Sequence, residues 1–239
     1  MKCFLLALMP LFFYSCAEYQ YLTVSGVDIT KNNKQEFVVE NDTLELTYHF
    51  KDDNGKILIS VFNRTNEPLV VDWWKSAITI DEKVYSYYNP NAILSARVSS
   101  DTLLSGTSLN GGIYLADVNG DVHLNETSQF IPSNARINKE MIVLSIDTLK
   151  NLPEHIAYKD TISLPNNLVL KYKRMSFEQG QSPLKFRSYI TFRIGKGHDE
   201  TELSIENRFY VSEVWKIASR LNDIPDRIIA RGDMIFLGP

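Results

Sequence analysis

Trp73 and Trp74 stand side by side, and Asp72 precedes them. On an extended strand, neighbouring side chains point to opposite faces, so one indole enters the core and the other faces outward. Tyr85, Tyr87 and Tyr88 follow closely. An exposed indole grouped with phenol rings offers a flat apolar surface for a sugar ring, and a carboxylate beside it accepts hydrogen bonds from hydroxyls. Asp72, Trp74, Tyr85, Tyr87 and Tyr88 are therefore the candidate glycan-binding residues; the alternative is that the long connection 92–112 covers them. His49, His123, His155 and His198 are scattered without metal-ligand spacing. Asp117, Asn119 and Asp121 are spaced as in a calcium loop. However, Val122 stands where that loop needs glycine and Ser128 where it needs glutamate, so Asp117–Asp121 reads as a hairpin turn. The chain contains no nucleophile elbow, metalloprotease helix or phosphate-binding loop. No catalytic residue, metal ligand or cofactor is assigned. Arg231-Gly232-Asp233 reads as the turn before a final strand.

The two cysteines bear on location rather than catalysis. Met1–Ser15 carries Lys2 and an apolar run, Phe4–Phe13, too short to span a bilayer, and Cys16 follows it. This resembles a bacterial lipobox, in which the cysteine is lipidated and becomes the new N-terminus. Phe13 and Tyr14 depart from the usual pattern, whereas Ser15 fits it. The resemblance implies a signal peptide over 1–15 that removes Cys3, and a membrane anchor at Cys16. The mature chain then has neither a free thiol nor a disulfide, which excludes cysteine catalysis. Several acyl chains on one residue make attachment effectively permanent. Surface export of such lipoproteins is associated with acidic residues just after the cysteine, and Ala17–Gln20 offers only Glu18. The expected location is the outer membrane, on the periplasmic side. The full chain has 25 basic and 29 acidic side chains with no basic cluster, which argues against a nucleic-acid partner.

The elements that position these residues read as strands. Leu44, Leu46, Tyr48 and Phe50 alternate with polar residues, and Asn54-Gly55 reads as a hairpin turn into Ile57–Phe62, a strand apolar on both faces. Asn63–Pro68 is a turn, and extended structure resumes at Leu69–Trp73 and Ala77–Ile80. Residues 129–145 hold two strands, and 151–167 reads as a crossover. Phe186, Ser188, Ile190, Phe192 and Ile194 line one face of a long strand. Strand pattern continues through Val211, and Val214–Leu221 fits strand or helix equally. Met234–Leu237 is a final strand. The expected fold is all-β: a large immunoglobulin-like antiparallel β-sandwich with a long insertion after the first strands. The expected layout is a lipidated N-terminus and spacer over 16–35, with room for one short strand within 19–34, then a single domain over 36–239.

Asn63, Thr65, Pro68, Leu69, Asp72, Trp73 and Ser76 form a spaced set that resembles the immunoglobulin-like sandwich domains of small Bacteroidota lipoproteins. The resemblance covers about a tenth of the chain on a motif-sized count, and implies a fold rather than an activity. Asp followed by Thr and an aliphatic residue recurs at 42–44, 101–103, 147–149 and 160–162. This resembles the O-glycosylation site of exported Bacteroidota proteins and implies Thr43, Thr102, Thr148 and Thr161 as acceptors. The alternative is that Asp-Thr begins strands by side-chain capping. The function expected is that of a lipid-anchored, non-enzymatic envelope protein that binds or assembles with an envelope partner. The alternative is a glycan-binding lipoprotein using the Trp74 region, and a hydrolase has no supporting motif.

Overall fold

The computed structural model describes residues 19–50, 56–88, 93–99, 117–123, 126–141, 149, 152, 154–163, 169–195, 200–218 and 231–237. Among the described residues, sixteen strands appear in chain order: β1 (Tyr19–Val27), β2 (Thr30–Lys31), β3 (Phe37–Glu40), β4 (Leu44–His49), β5 (Ile57–Asn63), β6 (Leu69–Ile80), β7 (Lys83–Ser86), β8 (Ile93–Ser99), β9 (Asp117–His123), β10 (Ser128–Ile131), β11 (Arg136–Met141), β12 (Tyr158–Ser163), β13 (Val169–Ser176), β14 (Lys185–Ile194), β15 (Thr201–Ile217) and β16 (Met234–Leu237). The fold is an all-β antiparallel sandwich. One sheet runs β10-β6-β14-β15-β1-β16, with β7 on β6, β13 on β15 and β12 on β13. A second runs β11-β5-β4-β3-β2, and β8 pairs with β9.

The chain forms two compact units, where the sequence predicts one domain over 36–239. The first comprises Met1–Phe62, Arg136–Phe186 and Asn207–Pro239; the second comprises Asn63–Ala135 and Arg187–Glu206.

Alternation explains the first unit. Leu44, Leu46, Ile57, Ile59 and Val61 turn inward from β4 and β5 and are buried. An aromatic cluster joins the layers. Phe209 of β15 packs edge-on against Phe37, Tyr48 and Phe50 at 5.1–5.4 Å, and stacks on Phe186 at 5.2 Å. Such pairs add about 0.5–1.5 kcal/mol each beyond burial. The Tyr48 hydroxyl donates to Asn207 Oδ1 at 3.1 Å, which satisfies two polar groups inside this core.

Three expectations need correction here. Residues 19–27, assigned above to a spacer, form β1, which lies between β15 and β16. Tyr21, Leu22 and Val24 are buried there, because β15 pairs along the strand and β16 pairs with Gln20–Thr23. Asp117–Asp121 lies within β9, opposite β8, and is not a turn. The ambiguous stretch after Val211 resolves as strand through Ile217 because β1 and β13 flank it. β8 also falls inside the segment read as a long connection.

The turn before β16 is held by charge. Asp233 is fully buried, and its carboxylate accepts from Lys31 Nζ at 2.5 Å and from Arg231 Nε and NH2 at 2.9 and 2.8 Å. It therefore cannot be offered to a partner. Gly232 donates its N–H to Lys34 O and accepts from Phe50 N. A Cβ on Gly232 would lie 3.0 Å from the backbone of Glu36, so only glycine fits. Asp233→Asn should lower unfolding free energy by roughly 3 kcal/mol, because it removes the counter-charge of two cations from a buried position. A urea midpoint that falls with unchanged slope checks this.

Candidate functional site

β6 organises the second unit, and it contains an irregularity. Leu69, Val71 and Trp73 are buried, and then Ser76, Ile78 and Ile80 are buried, so the inward positions switch from odd to even. Trp74 and Lys75, between the two runs, are both exposed. One extra residue in a strand produces this change of phase, and it interrupts the ladder to the neighbouring strand. Ser76 repairs the interruption. Its hydroxyl donates to Asp72 O at 2.6 Å and accepts from Thr191 N of β14 at 3.0 Å. The Asp72 carboxylate accepts from Lys75 N at 3.2 Å.

The rest of the spaced set has a similar task. Asn63 Oδ1 accepts from the backbone N–H and the hydroxyl of Thr65. Its amide donates to the carbonyls of Glu67, Ile131 and Pro132. Asn63 thus ties the turn after β5 to the end of β10. Asn63, Thr65, Asp72 and Ser76 shape the backbone here and make no reactive constellation.

The face of β6 opposite the buried residues is the candidate site. Trp74 is 66% exposed, and its ring lies 5.2 Å from that of Tyr88 at a tilt of 58°. Phe130 of β10, opposite Val70, is 60% exposed on the same face. Tyr189 of β14 is 43% exposed and alternates with the buried Ser188 and Ile190. Ion pairs surround these rings: Lys75 with Glu202, Arg187 with Glu206, and Arg193 with Glu200 and Asp72. Hydrogen bonding to Glu202 raises the Lys75 pKa, which keeps that ammonium charged.

The structure divides the predicted glycan residues. Trp74, Tyr88 and Asp72 share the outer face. Tyr87 is 4% exposed, packs edge-on against Trp73 at 6.4 Å, and donates its hydroxyl to Ser188 at 2.9 Å. Burial pushes its phenol pKa up, against the opposing effect of Ser188. Tyr85 pairs with Ile78 and so lies on the face of β7 shared with Tyr87, opposite to Tyr88, where it is 36% exposed. Tyr87 and Tyr85 are thus removed from the platform by the two-residue period of the strand. Phe130 and Tyr189 replace them, and their exposure depends on pairings that sequence spacing does not reveal.

Among the O-glycosylation candidates, Thr43 lies in the turn between β3 and β4, where Asn41 Oδ1 caps the N–H groups of Thr43 and Leu44. Thr161 is exposed on β12, and its N–H donates to Asp160. Cys16, Thr102, Thr148 and His198 lie outside the described residues.

A second feature lies on the polar face of the five-stranded sheet. A depression of about 350 Å3 is lined by Glu36, Glu45, His49, Ser60 and Arg136, among others. His49 Nδ1 lies 2.8 Å from Glu36, and Arg136 reaches Glu45 at 2.8 Å and Ser60 at 3.0 Å. Burial would raise the Glu36 pKa, but hydrogen bonds from Asn32 and His49 outweigh it and hold the carboxyl below its ordinary value. The charges here already pair with one another. Among the described residues, no group of three or more histidine, cysteine or carboxylate side chains is placed to hold a metal ion.

Comparison with known protein families, curated proteins and solved structures finds no match. Ser76→Ala should cost roughly 1–3 kcal/mol, because it leaves the buried N–H of Thr191 without its acceptor. Thr65→Ala, at a more exposed turn, should cost less. Parallel urea titrations check the order.

Proposed function

We propose that this chain is a lipid-anchored, non-enzymatic protein of the cell envelope that holds an envelope partner on the outer face of β6, β10 and β14. The observation that carries the reading is Trp74, two-thirds exposed and laid against Tyr88. An indole left this open, with further exposed rings on the same face, is the composition of a protein-binding patch. The surrounding ion pairs supply a polar rim. Tryptophan and tyrosine at the centre of such a patch carry most of its binding energy. The mechanism is tethering. Acyl chains on Cys16 confine the sandwich to a thin layer on the periplasmic side of the outer membrane, which raises its effective concentration for a neighbouring protein. The immunoglobulin-like relationship belongs to the same proposal and rests on the Asn63–Ser76 set.

Glycan binding is the second reading, and the tilted Trp74–Tyr88 pair favours it. Two rings remain of the four predicted, and Asp72 is already engaged by Lys75 and Arg193. The geometry therefore supports a protein partner better than a sugar.

Purification from native membranes should recover one envelope protein with the wild type. Trp74→Ala should reduce that recovery roughly 10- to 30-fold, the effect of losing a central aromatic anchor. Cys16→Ala should move the protein to the soluble fraction. Unchanged recovery with Trp74→Ala would remove the proposed face. Tryptophan fluorescence that shifts with polysaccharide, and stops shifting in Trp74→Ala, would establish the second reading instead.

A further inference from the structure

The exposed rings of the second unit form a track. β10, β6 and β14 are neighbours in one sheet. Phe130 lies opposite Val70, and Trp74 follows four residues further along β6. β14 runs antiparallel to β6: Gly195 N donates to Pro68 O, and Thr191 N to Ser76 Oγ. Tyr189, two residues before Thr191 on β14, therefore lies further from Phe130 than Trp74 does. Phe130, Trp74 and Tyr189 thus step diagonally across three strands, with Tyr88 laid against Trp74. The track is about seven strand positions long, or roughly 23 Å.

The free hydrogen-bonding groups on this track are donors. They are the indole N–H of Trp74 and the hydroxyls of Tyr88 and Tyr189, and none of the three makes a hydrogen bond among the described residues. The carboxylates around the track are engaged. Asp72 faces Lys75 N and Arg193, Glu200 binds Arg193, Glu202 binds Lys75, and Glu206 binds Arg187. The face therefore presents flat rings and open donors, while its charges are already paired. A complementary ligand brings apolar surface and uncommitted acceptors, carries no charge, and asks for no acceptor in return. A helix or a sheet has already paired its carbonyls. A sugar brings hydroxyl donors that find no open carboxylate here. A polyproline II segment differs from both: it has no internal hydrogen bonds, its carbonyls are open, and each proline lacks an N–H. Its rings also pack on aromatic surfaces, and it has little conformational freedom to lose.

We infer that the partner docks by an extended, proline-rich segment lying along Phe130, Trp74 and Tyr189. At about 3.1 Å per residue, roughly seven or eight residues of such a segment cover the track. The inference deepens the function proposed above and rests on it, adding the chemistry of the contacting segment.

The test uses the full chain purified from native membranes. It is titrated into fluorescein-labelled decaproline, and into a labelled glycine–serine peptide of the same length, with fluorescence anisotropy as the readout. Decaproline should bind saturably, and the glycine–serine peptide should not. Trp74→Ala should weaken decaproline binding roughly 10-fold or more. Tyr189→Phe keeps the ring and removes only the donor, and should weaken it roughly 2- to 10-fold. Excess decaproline should also displace the envelope partner from the wild type. Recovery of that partner that depends on Trp74, with no binding or displacement by decaproline, would overturn this inference and leave the proposed function standing. Equal binding of the two peptides, or decaproline binding unchanged by Trp74→Ala, would also overturn it. Partner recovery that ignores Trp74 would overturn the proposed face and this inference together.

Discussion

The hydroxyl of Ser76 holds β6 in a form that a regular strand does not take. β6 changes phase between Trp73 and Ser76, and a buried N–H left without a partner by such a change is costly. Ser76 accepts that N–H from Thr191 and binds back to Asp72 O, so β6 can change phase without losing a hydrogen bond. Trp73 stays in the core before the change, and Ile78 and Ile80 return to it afterwards. Trp74 and Lys75 are left together on the outside. The proposed binding face is therefore a consequence of backbone geometry, and the Asp72–Ser76 spacing records the geometry rather than a chemistry.

The first unit rests on a different constraint. Asp233 is a buried carboxylate stabilised by two cations, and the glycine before it lies against the backbone of Glu36. These contacts join β16 to the segment between β2 and β3, and β16 in turn pairs with β1. β1 is thus held along both edges, by β15 and by β16.

Much of the sandwich was legible in the sequence because alternation is a local signal. β4, β5, β14 and β16 follow from it directly. β1 was not read as a firm strand although Tyr19, Tyr21, Leu22, Val24 and Val27 suit one, because its burial comes from partners about 190 residues away. The turn expected at Asp117–Asp121 failed because Asn-Gly marks turns only when no neighbouring strand captures it. At the candidate site, the outward aim of one adjacent tryptophan followed from strand geometry. Tyr85 and Tyr87 were lost to it by the same geometry, since they fall on the opposite face from Tyr88. Phe130 and Tyr189 join Trp74 only through the pairing of β10, β6 and β14, which no spacing encodes.

The central claim is that the face around Trp74 is occupied in the cell. The proposed processing removes Cys3 and acylates Cys16, the two cysteines of the chain, so an introduced cysteine would be a unique reporter. Arg187→Cys, at the rim of this face, and, as a control on β13, Ser176→Cys would be labelled with a membrane-permeant maleimide in intact cells and after purification. The account predicts that position 187 reacts freely in the purified protein and is protected in cells, while position 176 reacts in both. Equal labelling of the two positions in cells would contradict it.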